Sequence, residues 1–89
     1  MLMLPPMVGQ ESRGFALAVE LALMNSTLAY DDRLLVLAVR KQLNVQPTQT
    51  PEITDPERIG FNLGVRYINA LLGTTVLTLL QSVEEGDPL

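Results

Sequence analysis

The sequence predicts an all-α fold: a small helical domain of about three helices with a long C-terminal helix, assembled as a homodimeric bundle. Three observations carry this. From Tyr67 to Val83 no residue is charged. That run follows a helix start, Asp55-Pro56-Glu57, where an N-cap acid, a proline with preset φ and a first-turn carboxylate agree. Phe61, Val65, Ile68, Leu72, Val76, Leu79 and Val83 recur by threes and fours, the spacing of one helix face.

The 89 residues suit one domain spanning 1–89. Its first nine residues, MLMLPPMVG, read as an extended arm. The arm has no basic n-region, and Pro5-Pro6 break its apolar run, so it is not read as a secretory signal. Helix 1 is expected from about Ser12, a suitable N-cap, to Met24, with Asn25-Ser26-Thr27 ending it. Gly14 weakens its first turn. Helix 2 is expected over Asp32 to Leu43, capped by Asp31. Its acids lie at the start and Arg40-Lys41 at the end, as the helix dipole favours. A single helix kinked near Asn25–Thr27 is the alternative to two.

Residues 44–55 form a linker containing Pro47 and Pro51, which bias it toward extended geometry. Helix 3 then spans about Pro56 to Glu85, where Gly86 and Asp87-Pro88 stop it. Such a helix would be roughly 45 Å long. That exceeds a small globule, so the helix either breaks at Gly73-Thr74-Thr75 or protrudes toward a partner. A strand from Thr74 to Leu80 is the lesser alternative.

Around helix 3, a small, charge-free stripe holds Gly60, Gly64, Leu71, Thr75, Thr78 and Ser82. Ile59, Leu63, Ala70 and Leu77 add a third apolar side, and Asn62, Arg66, Asn69, Gly73 and Glu84 make the strip meant for water. A helix apolar around most of its circumference is buried on most sides. Two short helices cover one broad face, which leaves the rest to a second copy. The expected partner interface is Gly60, Phe61, Gly64, Ile68, Leu71, Thr75 and Thr78. A close crossing within the chain is the other use of the two glycines.

Catalysis finds little support. Cysteine and histidine are absent, removing thiolate chemistry and the commonest general base and metal ligand. The acidic pairs Asp31-Asp32 and Glu84-Glu85 sit at helix ends, where capping and solvation explain them. Lys41 is the single lysine and complements a helix C-terminus. No phosphate-binding or nucleophile-elbow motif occurs. No catalytic residue, cofactor or metal site is therefore expected. Ten acids against six bases give a net charge of -4, which argues against nucleic acid. The charge-free run falls short of the ~20 residues a membrane span needs and carries polar residues throughout.

The functional expectation is a small non-catalytic, cytoplasmic protein-interaction module, an adaptor, assembly factor or regulator. Its partners would be itself, as a homodimer, and another protein. A helical binding module for a small apolar ligand, using Asn62, Tyr67 and Asn69, is the alternative. A membrane-associated helical protein is the second.

Overall fold

Side chains that reach free backbone groups, and residues that adopt the left-handed conformation, set most of the helix ends. The computed structural model describes residues 3–49 and 52–77. Among these the secondary structure is three helices and no strand: α1 (Gly9–Leu23), α2 (Tyr30–Leu43) and α3 (Asp55–Leu72).

α1 starts at Gly9 rather than Ser12. Glu11 reaches back to accept from the Val8 N–H at 3.2 Å, and the Ser12 hydroxyl donates to the Gly9 carbonyl at 2.6 Å inside the first turn. α1 and α2 are separate helices. The Asn25 side chain accepts from the Thr27 N–H at 3.0 Å and from its hydroxyl at 2.7 Å, closing a local turn. Arg33 of α2 then donates to the Leu23 carbonyl at 2.7 Å and the Asn25 carbonyl at 3.3 Å. It thus satisfies carbonyls at the end of α1 and ties the two helices together. Ala29, not Asp31, is the N-cap of α2; Asp31 and Asp32 lie in its first turn. Asn44 closes α2 in the left-handed region at φ 49°, its N–H donating to the Arg40 carbonyl at 3.0 Å.

α3 is capped by Thr54 rather than Asp55. The Thr54 hydroxyl accepts from the Glu57 N–H at 3.3 Å, and the Glu57 carboxylate accepts from the Thr54 N–H at 2.9 Å. This reciprocal box needs the acid three residues into the helix, where Glu57 stands.

α3 does not run on to Glu85; it ends at Leu72, at the Gly73 break that was the alternative to a protruding helix. Gly73 adopts φ 68°, and the Gly73 and Thr74 N–H groups donate back to the Ala70 and Asn69 carbonyls at 3.3 and 3.2 Å. The chain then turns inward. Asn69 accepts from the Val76 N–H at 2.8 Å, Asn25 donates to the Val76 carbonyl at 3.3 Å, and Leu77 is buried in the core. Of the strand expected over Thr74 to Leu80, residues 74–77 are not a strand, and 78–80 lie outside the described residues. An ideal Cβ on Gly73 meets nothing within 4 Å, so only its backbone resists substitution. Gly73→Ala is expected to cost about 1–2 kcal/mol and Gly73→Asn less. Urea denaturation of the two variants checks the order.

α1 is the middle helix. α3 packs along one side of it, and a smaller contact with α2 lies on another. The α1–α3 approach is set by three glycines. A Cβ on Gly14 would overlap the Glu57 carbonyl oxygen and stand 2.9 Å from the Phe61 nitrogen. A Cβ on Gly60 would overlap the Glu11 carbonyl oxygen and lie 2.8 Å from the Glu11 Cα. At Gly64 the obstacles are the Ala18 Cβ at 2.7 Å and the Phe15 carbonyl oxygen at 3.1 Å. Backbone therefore rests on backbone along the crossing. Beyond it Phe15, Ala18, Val19, Ala22, Val36, Val39, Phe61, Val65, Ile68 and Leu77 close a continuous core.

Candidate interaction surfaces

The residues expected to meet a partner are divided by the structure. Gly60, Phe61, Gly64 and Ile68 are buried inside the chain itself, the two glycines against α1. Leu71 is half-buried against the core, Thr75 is exposed, and Thr78 lies outside the described residues. Gly60 and Gly64 are thus spent on an internal crossing, Gly60 against Glu11 and Gly64 against Phe15 and Ala18, while Gly14 of α1 faces Glu57 and Phe61 from the other side. The strip expected to face water is also revised. Asn69 turns inward to hold Val76, and the Asn62 side-chain oxygen is buried with no hydrogen-bond partner.

A buried polar cluster went unforeseen. Glu57 is 4% exposed and Thr48, from the middle of the linker, 5%. The Thr48 hydroxyl donates to the second Glu57 carboxylate oxygen at 2.7 Å, and the Thr48 N–H donates to the Arg13 carbonyl at 3.1 Å. Thr48 thereby ties the linker to α1 and α3. The Thr54…Glu57 half is legible as a capping box, T-x-x-E; the Thr48 half, nine residues upstream of Glu57, has no local signature.

The Thr54 backbone N–H holds the Glu57 carboxyl below its usual 4.5, helped by the Thr48 and Thr54 hydroxyls; desolvation opposes this, and Arg13 adds attraction. A carboxyl depressed in the folded state stabilises fully above its unfolded value, and that contribution is lost as pH falls through the folded value. Stability is therefore expected to drop as pH falls below about 4.5. Glu57→Gln should be the less stable protein at neutral pH and should lose part of that acid slope. Urea midpoints between about pH 2 and pH 6 measure both.

Among the described residues, two groups of apolar side chains face outward together. One is a shallow groove of ≈ 470 Å³ between the arm, Met3 to Pro6, and Leu63, Arg66 and Tyr67 of α3. Tyr67 lines it while its ring packs against Phe15, centroids 5.5 Å apart. Asn62 and Asn69 do not line this groove, so the three polar groups expected around a ligand are not brought together. The other surface is the outer side of α2, where Tyr30 is 74%, Leu34 48% and Leu35 40% exposed.

Asp31-Asp32 lie in the first turn of α2, while Glu84-Glu85 fall outside the described residues. Lys41 is exposed in the last turn of α2. No group of three or more acidic side chains placed to hold a metal occurs among the described residues. Among those residues no helix is long and apolar enough to cross a membrane. Comparison with protein families, curated proteins and solved structures finds no match to this chain.

Proposed function

We propose that this chain is a small, non-catalytic protein-interaction module, an adaptor, assembly factor or regulator that acts in the cytoplasm as a homodimer and through it on another protein. One observation supports the reading above the rest. After the three helices have closed a core, Met3, Val8, Met24, Tyr30, Leu34, Leu35 and Ile59 still stand in solvent. Among them Tyr30, Leu34 and Leu35 lie close together on α2, and a grouped apolar face of that kind gains free energy on contact. Light scattering coupled to size exclusion tests the homodimer; a monomer at about 100 µM, well above the micromolar range of modest interfaces, would sink it.

The second reading is a site for a small apolar ligand. The groove at Met3–Pro6, Leu63 and Tyr67 favours it, because its walls are almost wholly apolar apart from Arg66 at its edge. Native mass spectrometry of gently purified protein separates the two readings. A retained small molecule supports the groove, and a clean apo mass removes it.

A further inference from the structure

We infer that the outer face of α2 is the dimer seam, pairing antiparallel with α2 of a second copy of this chain. This rests on the homodimeric reading above and names its surface.

At ~100° per residue, Asp31, Leu34, Ala38 and Lys41 fall on one side of α2, opposite the buried pair Val36 and Val39. All four are exposed. Tyr30 and Leu35 flank them and are also exposed. The face thus has an apolar centre with an acid at its N-terminal end and a base at its C-terminal end. Arg40 belongs to a different side, where it meets Glu20 of α1 at 3.4 Å.

The charge order selects both partner and direction. Asp31 and Lys41 stand at equal distances from Val36 along the helix, and so do Leu34 and Ala38. A two-fold axis level with Val36 therefore sets Asp31 of each copy opposite Lys41 of the other, and Leu34 of each opposite Ala38 of the other. The small Ala38 lets the Leu34 side chain of the second copy enter between turns. Parallel pairing would set acid on acid and base on base. Antiparallel pairing also aligns the two helix dipoles favourably. A two-fold contact needs a patch complementary to itself, and this face meets that condition. A single helix pair is smaller than the standard interface of ~1,600 Å², so the dimer is expected in the micromolar range.

Charge reversal tests the seam. Asp31→Lys and Lys41→Asp each set two like-charge contacts into the dimer, and each should raise its dissociation constant about tenfold or more. The double variant D31K/K41D restores both contacts and should return the constant to within about threefold of the original. The double variant opposes the helix dipole at both ends. If the charges mattered only to α2 itself, it would be worse than either single change, not better. Leu34→Glu should abolish the dimer while circular dichroism shows the helices intact. Sedimentation velocity over a concentration series reads all four variants. A wild-type dimer that ignores these substitutions, or single reversals that the double does not rescue, would overturn the seam and leave the homodimer standing. A wild-type monomer would overturn both and leave the α2 face to a different chain.

Discussion

Gly60→Ala is expected to remove about 3 kcal/mol or more, a large part of what holds this protein folded. The usual effect of this change has the opposite sign, since alanine in a helix interior is favoured over glycine by roughly 0.5–1 kcal/mol. Here the added methyl would overlap the Glu11 carbonyl oxygen, and that oxygen belongs to the first turn of α1. No flexible side chain stands in the way to yield. The two helices must separate, and the Phe15, Phe61 and Val65 contacts beside the crossing loosen with them. A chain of 89 residues has a total stability of roughly 4–13 kcal/mol, so this loss decides how much protein is folded at 37 °C. Gly14→Ala strikes the same crossing from the other helix. The double variant should cost less than the sum, because one separation accommodates both methyls. Gly9→Ala is the control: nothing lies within 4 Å of its added carbon, and its stability should be unchanged or slightly raised. Thermal denaturation followed by circular dichroism ranks the set. A Gly60→Ala melting temperature at or above the parent's would refute the close crossing.

Phe15→Ala should cost about 3–5 kcal/mol, the range for deleting a buried aromatic ring. Phe15 is fully buried, lies in the α1 face that meets α3, and has the Tyr67 ring as a tilted neighbour at 57°. Removing it opens a cavity between helices already held at minimum separation by glycine, so their backbones have little room to collapse into it. Phe15→Leu, which keeps most of the volume, should lose under about 1.5 kcal/mol. Met24→Ala, at a side chain 75% exposed, should change stability by less than about 0.5 kcal/mol. Chemical denaturation gives all three. Equal losses at Phe15 and Met24 would mean the core is placed wrongly.

Much of the fold was legible because local chemistry announces it. Apolar spacing marked three helices, and the linker prolines separated the last two. The Asp55-Pro56-Glu57 start was right to within a residue, since Thr54 and Asp55 are both good caps and the capping box decided between them. The end of α3 at Gly73, one of the two outcomes its length allowed, has a physical cause. A run without charges continues a helix or folds back equally well on composition. Gly73 breaks it because the inward turn satisfies the Val76 N–H and carbonyl and buries Leu77. The excess length that argued for a partner thus becomes, at least through Leu77, cover for the chain's own core.

The candidate interface was less legible. Gly60 and Gly64 mark in the sequence a place where backbones can approach closely, but sequence spacing does not say which helix approaches. Only the tertiary structure sets them against Glu11, Phe15 and Ala18 of α1, with Gly14 opening the same crossing to Glu57 and Phe61, and only it shows that α2 is left with an open face. From the sequence alone come helix class, approximate bounds, the charge order along α2 and the absence of histidine and cysteine. These are properties of single residues and of their neighbours a few positions away. Which apolar stripes are spent inside the chain and which remain outside depends on contacts between residues such as Glu11 and Gly60 or Thr48 and Glu57. Their distance along the chain leaves no local pattern, so packing alone decides it.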